Sequence, residues 1–219
     1  MQTGRVAGLV LAAGAGRRMG VPKALLRDQH GTAWVVRAAA TLRAAGCDPV
    51  TVVVGAAADA VRRELAAERV EVVHAPDWRA GMGASLRAGL TAMSALREPV
   101  GVVVVPVDLP DLTPAAVSRV LAGADCTALA RATYAGVPGH PVLIGRAHWP
   151  GVITAARGDV GARDYLRAHQ VTAVECADLC SGADVDLPER LPPGHTLGRT
   201  LDHTLGRTLD PTSGRRADA

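Results

Sequence analysis

A glycine-rich segment directly after a buried strand is the feature that most constrains the fold of this chain. Val6–Ala12 is a continuous apolar run, typical of a strand in a parallel sheet that is covered on both faces. Residues 11–26 then read LAAGAGRRMGVPKALL. In a doubly wound sheet, ligands bind beyond the carboxyl ends of the strands, which is where this loop must lie. The sequence therefore predicts an α/β domain with a phosphate-binding loop after its first strand.

Apolar runs and amphipathic stretches alternate along the rest of the domain. We predict further strands at Val50–Val54, Val70–Val73, Val100–Val105, Ala124–Ala130 and Val142–Ile144. We predict helices at Ala33–Ala45, Ala57–Glu68, Ala84–Leu96, Pro114–Leu121 and Gly161–His169. This alternation predicts a Rossmann-like three-layer α/β/α sandwich with a mostly parallel sheet.

The end of the chain is different in kind. His195–Asp202 reads HTLGRTLD, and His203–Asp210 repeats those eight residues without a change. The repeat has no helical or strand periodicity and little apolar surface to bury. We therefore predict one domain over residues 1–191 and a disordered tail over residues 192–219.

Composition excludes several classes of function. The net charge is only +3, without a basic stripe, which argues against nucleic acid as a partner. No apolar stretch approaches the ~20 residues of a membrane span. The cysteines lack the companions of a zinc site, so we expect buried or idle thiols and a cytoplasmic protein; they are Cys47, Cys126, Cys176 and Cys180.

Only one of the 24 basic residues is a lysine, Lys23, and it lies in the glycine loop. Backbone N–H groups at the loop glycines can approach phosphate oxygens, and Arg17, Arg18 and Lys23 supply positive charge. The loop does not fit the standard patterns. A dinucleotide fingerprint would need a closer third glycine and an acid after the second strand, and a Walker loop would need Lys directly after Gly20. A glycine-rich turn that binds nothing is the alternative.

The loop does resemble that of a known family. Residues 11–23 are similar to the nucleotidyltransferase pattern L-x-x-G-x-G-x-R-M-G-x-x-K, and the chain looks most like the molybdenum cofactor cytidylyltransferases and their relatives with a MobA-like NTP-transferase domain. Four further segments resemble the family in the same order along the chain: APDWRAGMGASLRAGL at residues 75–90, PVDLPDL at 106–112, GVPGHPVL at 136–143 and ADVDLPERL at 183–191.

This resemblance implies a fold of the nucleotide-diphospho-sugar transferase type and a specific reaction. That reaction is transfer of CMP from CTP to a molybdopterin-type cofactor, with release of pyrophosphate. Arg18 and Lys23 would be catalytic, Asp108 and Asp186 would bind Mg²⁺, and His140 would contact the second substrate. The implied nucleotide-binding residues are Leu11, Ala12, Ala13, Gly14, Gly16, Gly83 and Ser85. A molybdoenzyme or its chaperone is the implied protein partner.

The residue types suit these roles, although three of the residues also have a purely structural interpretation. Asp108 follows the strand Val100–Val105, at the same sheet edge as the glycine loop, and Mg²⁺ prefers carboxylate and phosphate oxygens. Asp184 is a possible neighbour of Asp186. Alternatively, Asp108 is a solvated turn acid, Ser85 an ordinary residue at a helix start and His140 a structural turn histidine.

The chain also departs from the family pattern. Val107 stands where glycine is usual, Leu187 where threonine is common and Arg190 where aspartate is common. The Ala13–Gly14 pair is typical of the cytidylyl branch, whereas guanylyl-transferring relatives tend to have Gly-Gly. Two other functions stay open: an NAD(P)H-dependent oxidoreductase of the same domain family, and a non-catalytic chaperone that binds molybdenum cofactor.

Overall fold

One seven-stranded sheet organises the protein, for which a computed structural model describes residues 4–96 and 98–198. Its strand order is β3-β2-β1-β4-β6-β5-β7, with β6 antiparallel to both neighbours and every other pair parallel. The strands are β1 Val6–Ala12, β2 Val50–Val54, β3 Glu71–His74, β4 Gly101–Pro106, β5 Leu129–Tyr134, β6 Val137–Gly145 and β7 Thr172–Glu175. The predicted fold class, with a mostly parallel sheet, is confirmed.

Helices cover both faces of the sheet. Within the described residues the α-helices are α1 Trp34–Ala44, α2 Ala58–Glu64, α3 Met82–Ser94, α4 Pro114–Leu121, α5 Trp149–Ala155 and α6 Arg163–Arg167. Successive residues of β1 face opposite sides, so Val10 and Ala12 belong to one apolar cluster and Leu9 and Leu11 to the other. The core is therefore split into two layers by the sheet.

The sequence patterns located the first half of the domain well. β1, β2 and α4 have the predicted bounds, and Thr113 caps α4 by accepting a hydrogen bond from Ala116 N. The second half differs. The strand predicted at Ala124–Ala130 is wrong over most of its length, because the Asp125 carboxylate accepts hydrogen bonds from Thr127 N and Oγ1 and forms a turn.

Residues 192–198 pack against the domain. Thr196 and Arg27 exchange two backbone hydrogen bonds of 2.9 Å, and Trp34 Nε1 donates to His195 Nδ1 at 3.1 Å. The two rings meet edge to face, with centroids 5.7 Å apart. The prediction of a disordered tail is therefore wrong for residues 192–198, because these residues satisfy backbone groups and the indole N–H. The rest of that prediction, residues 199–219, lies outside the described residues.

Loss of the His195 imidazole is expected to destabilise the domain. In His195→Ala the buried Trp34 indole loses its acceptor, which costs about 1–2 kcal/mol. Thermal melting of His195→Ala against His74→Ala, an exposed histidine at the edge of the sheet, measures this effect. Equal melting temperatures of the two variants would contradict it.

The same contact predicts a pH dependence. Burial and then Arg37 lower the pKa of His195 below its ordinary 6.5, so the folded state favours the neutral ring that accepts from Trp34. This contribution is present above pH 6.5 and is lost as the pH falls through the lower folded-state pKa. The melting difference between wild type and His195→Ala should therefore shrink as the pH is lowered below 6.5.

Two smaller predictions concern cysteines and membranes. All four cysteines are free thiols, of which Cys47 and Cys176 are buried and Cys126 is exposed. Among the described residues, no helix has the length and apolar character needed to cross a bilayer.

Candidate active site

The carboxyl ends of β1, β2 and β4 meet at one edge of the sheet, and the loops that follow them are tied together. Val107 N, after β4, donates to Leu11 O at 3.1 Å, and Ala56 N, after β2, donates to Ala13 O at 3.0 Å. These bonds extend the parallel pairing past the strand ends. They fix the start of the glycine loop beside the segment that carries Asp108.

Gly16 shapes the glycine loop. Its φ is +61°, and a Cβ atom added there would lie 1.8 Å from Val21 O, so no larger residue fits without moving the backbone. Gly20 N closes the turn by donating to Gly16 O at 2.8 Å. Gly14 is different, because a Cβ there would meet no protein atom within 4 Å. The chain leaves the space beside Gly14 open.

Alanine at these two glycines should therefore have different effects. Gly16→Ala is expected to lower the melting temperature and to weaken nucleoside triphosphate binding at least tenfold, because the loop must deform. Gly14→Ala is the matched control: it should keep the wild-type melting temperature and weaken only nucleotide binding. Thermal melting and calorimetric titration with CTP measure both. Wild-type melting of Gly16→Ala would contradict the assigned backbone strain.

Lys23 joins the glycine loop to both predicted metal-binding carboxylates. It lies in a short 3-10 turn, Lys23–Leu25, and its Nζ donates to Asp108 Oδ2 at 2.7 Å and to Asp186 Oδ1 at 2.5 Å. Arg18 donates to the other oxygen of Asp186 at 3.1 Å. The structure thus brings together all four residues that the sequence proposed for catalysis and metal binding.

Burial differs among these groups. The side chains of Lys23 and Asp108 are 15% and 18% exposed, whereas that of Asp186 is 40% exposed. Burial raises the pKa of Asp108, with Lys23 opposing it. The hydrogen bond from Lys23 lowers the pKa of Asp186. Burial alone lowers the pKa of Lys23, but Asp108 and Asp186 together raise it above 10.5, so the ammonium stays charged.

The carboxylates fit a divalent cation. Asp108, Asp184 and Asp186 each offer an oxygen within 4.8 Å of the others. Val185 N donates to Asp108 O at 3.1 Å, which brings the 184–186 segment against the end of β4. Asp108 Oδ1 is buried and has no hydrogen-bond partner among the described residues. A buried carboxylate oxygen without a donor suits a hard cation such as Mg²⁺.

A cavity of about 570 Å³ contains these groups. Its lining includes most of the predicted site residues: Leu11, Ala13, Gly14, Gly16, Arg18, Lys23, Ser85, Asp108 and Asp186. Ala12 and Gly83 are not among the residues that line the cavity, so their nucleotide contacts stay a prediction. Ala12 faces the other layer of the core, and a Cβ at Gly83 would lie 2.6 Å from Arg157 N.

His140 does not line the cavity that holds the catalytic cluster. It lines a neighbouring pocket of about 100 Å³. Its peptide bond to Pro141 is cis. Contact of His140 with the second substrate stays a prediction, and it now concerns this second pocket.

Among the residues of the cavity wall that the sequence did not predict are one aromatic and two charged side chains, those of Trp78, Arg79 and Asp159. Trp78 packs over Gly55 and also lines the cavity. The Arg79 guanidinium lies 4.5 Å from the centre of the Trp78 ring. Asp159 comes from a loop far along the chain that packs against Gly81. Of these residues, only Trp78 and Arg79 lie in a segment that resembles the family pattern, so only they could have been predicted from the sequence.

The structure explains one of the three departures from the family pattern, the valine at position 107. The Val107 side chain is accommodated in the apolar core, with 9% exposure. A short 3-10 turn, Pro188–Arg190, follows Asp186 at the surface. Leu187 directly precedes this turn and Arg190 ends it. Nothing in the structure explains the preference for these two residues.

Comparison with known proteins agrees with this geometry. Residues 8–173 match the family model of the MobA-like NTP transferase domain. The chain is 37% identical over 198 residues to nicotine blue oxidoreductase of Paenarthrobacter nicotinovorans, an alignment covering 85% of this chain and 94% of that protein.

Solved structures show the same architecture. Rv0371c from Mycobacterium tuberculosis H37Rv superposes with a TM-score of 0.74 at 30% identity, covering 86% of this chain and 96% of that one. The same protein in complex with manganese gives 0.66 at 28% identity, covering 78% and 88%. A nucleotidyl transferase from Methanothermobacter thermautotroptrophicus shares the fold, with a TM-score of 0.72 at 21% identity over 84% and 93% of the chains. The chain belongs to the MobA-like NTP transferase domain family.

Proposed function

We propose that the protein transfers CMP from CTP to the terminal phosphate of a molybdopterin-type cofactor and releases pyrophosphate. The observation that carries this proposal is the cluster of Lys23, Arg18, Asp108 and Asp186 at the mouth of the glycine loop. Family membership supports nucleotidyl transfer in general. CTP and molybdopterin are the finer part of the proposal and rest on the resemblance described above.

The proposed chemistry is an in-line displacement at phosphorus. An oxygen of the acceptor phosphate forms a bond to the α-phosphorus of CTP, and the bond from that phosphorus to the bridging α–β oxygen breaks. Its electron pair leaves with pyrophosphate. The acceptor phosphate is ionised at neutral pH and needs no general base. Charge neutralisation and positioning are then the main tasks of the protein.

The residues of the cluster divide these tasks. Arg18 is largely exposed and reaches outward from the loop, so it is placed to hold the β- and γ-phosphates of the leaving group. The Lys23 ammonium lies deeper, beside Asp108, where it can follow the charge that develops at the α-phosphate. Asp108 and Asp186, with Asp184, would hold Mg²⁺, which when bound supplies Lewis-acid neutralisation of phosphate oxygens.

The residue type at position 13 supports CTP rather than GTP as the donor. Ala13 lines the cavity and is held by the hydrogen bond from Ala56 N to its carbonyl oxygen. Guanylyl-transferring relatives tend to have glycine at this position. The Ala13–Gly14 pair of this chain follows the cytidylyl pattern, which supports CTP as the nucleotide donor.

A direct assay tests the proposal. Purified protein is incubated with Mg²⁺, molybdopterin and each of the four nucleoside triphosphates in turn, and pyrophosphate is measured. We expect release with CTP that requires the acceptor. No release of pyrophosphate with any of the four nucleotides would refute nucleotidyl transfer.

The name of one relative, nicotine blue oxidoreductase, favours a second candidate, an oxidoreductase of the same domain family, for which the sequence left NAD(P)H open as the cofactor. The chain itself offers little for it, since the segment after β2, Val54–Gly55–Ala56, has no acid to bind a ribose hydroxyl. Trp78 lies in the cavity wall and reports occupancy through its fluorescence. Titrating the protein with CTP and with NADPH separates the candidates: the transferase predicts quenching at lower concentrations of CTP. Tighter binding of NADPH would favour the oxidoreductase.

A further inference from the structure

The second pocket, which contains His140, adjoins the cavity of the proposed reaction. The two share a wall formed by Leu11, Met82 and Asp159. Neither Lys23 nor Asp108 lines the second pocket. A molecule that spans both spaces would therefore react at one end and be recognised at the other.

The floor of this pocket is apolar and its rim is cationic. The floor side chains come from α3, β4, β6 and α6 and are Leu86, Val104, Val142, Ile144 and Leu166. Arg131 on β5 and Arg163 at the start of α6 supply two guanidinium groups. An apolar body with an anionic substituent matches this lining.

The two arginines lack acidic partners. Among the described residues, no ion pair within 4.0 Å joins Arg131 or Arg163 to a carboxylate. Asp159 lines the pocket on the shared wall without forming such a pair. Arg131 Nε donates to Gly139 O at 3.1 Å, which aims its guanidinium from a half-buried position. Burial, and then the neighbouring cations Arg163 and Arg167, lower the pKa of Arg131.

His140 completes the lining as a neutral group. Burial, and then Arg131, lower its pKa to about 4, so its ring is uncharged at neutral pH. Its backbone is held by Tyr134, whose hydroxyl donates to His140 O at 2.7 Å. A neutral imidazole held in place can donate one hydrogen bond to an anion without adding to the repulsion between the arginines.

We propose that Arg131, Arg163 and His140 bind an anionic group of the acceptor, at the end of the molecule remote from the oxygen that attacks CTP. This inference rests on the proposed function for its assignment to the acceptor. It defines the acceptor class as a molecule with a reacting phosphate at one end and a second anionic group on an apolar body at the other.

Inorganic phosphate is the probe for a test that needs no turnover. Proton NMR follows the His140 ring signal, assigned by its loss in His140→Gln, during titration of the full chain with phosphate. We expect a saturable shift in wild type and in Arg63→Gln, an exposed arginine on α2. In Arg163→Gln and Arg131→Gln the apparent affinity should fall at least tenfold. Arg163 is exposed and has no hydrogen bond to the β5–β6 hairpin, so its variant tests the site even if Arg131→Gln misfolds.

A His140 signal that does not move, or that moves equally in wild type, Arg163→Gln and Arg63→Gln, would overturn the proposed anion site. In the transfer assay, Arg163→Gln should raise the KM for molybdopterin at least tenfold and leave the KM for CTP unchanged. An unchanged KM for molybdopterin would overturn the assignment to the acceptor. The two proposals fail separately, because absent pyrophosphate release refutes the reaction, whereas the phosphate titration judges the pocket by itself.

Discussion

Replacing Lys23 with arginine should abolish at least 99% of the pyrophosphate-releasing activity while leaving the fold intact, a loss of about 100-fold or 2.7 kcal/mol in activation free energy. The reason is shape, since both side chains carry one positive charge. The Lys23 ammonium fits between Asp108 and Asp186 at 2.7 and 2.5 Å with 15% of its side chain exposed. A planar guanidinium is larger and cannot place a compact charge there.

Steady-state kinetics and thermal melting measure this effect together. Arg63→Lys, on the exposed surface of α2, is the matched control for exchange between the two cations and should behave as wild type. Turnover of Lys23→Arg within a few-fold of wild type would contradict the role assigned to the only lysine of the chain.

Asp108→Asn should reduce turnover by about 100-fold or more, because metal neutralisation of phosphate charge is worth several kcal/mol and this residue supplies its least exposed ligand. Burial raises the pKa of Asp108, so the site disfavours the ionised carboxylate. Lys23 keeps Asp186 as a carboxylate partner in this variant, so the fold should persist, which thermal melting checks. Mn²⁺ binding, measured by calorimetry, should weaken in parallel with the loss of turnover.

Asp59→Asn, a strongly exposed aspartate on α2, provides the control for loss of one carboxylate. The Asp108→Asn variant also separates the enzyme from a cofactor chaperone. The transferase and the chaperone hypotheses both allow molybdopterin to bind the variant. Only the transferase hypothesis predicts turnover by the wild-type protein, which the substitution should abolish. Turnover and Mn²⁺ affinity equal to those of the wild type in Asp108→Asn would contradict the role of Asp108 as a metal ligand.

The sequence carried most of the information about the first half of the domain, for a physical reason. Parallel strands such as Val6–Ala12 and Val50–Val54 are buried on both faces, so they appear as unbroken apolar runs. The β5–β6 hairpin is half exposed and includes glycine and proline, which hides Val137–Gly145 from the same pattern. Only its most apolar part, Val142–Ile144, was predicted.

The site divides in a similar way. Gly16 and Lys23 lie in the loop that follows the predicted strand Val6–Ala12, and Asp108 follows the predicted strand Val100–Val105. The topology of the sheet alone therefore placed all three at one edge. Asp159 enters the cavity from a loop whose position depends on packing against Gly81, a contact that no local pattern encodes. The contact between Trp34 and His195 was hidden for the same reason, since the two residues are far apart in sequence.

In the proposed reaction the α-phosphorus moves from the nucleotide to an acceptor. Incubating the full chain with Mg²⁺, molybdopterin and CTP labelled at the α-phosphate tests it most directly, with products separated by chromatography. We expect the label to appear in the cofactor in a one-to-one ratio with released pyrophosphate. Label that stays in CTP, or that appears only as free CMP, would contradict it.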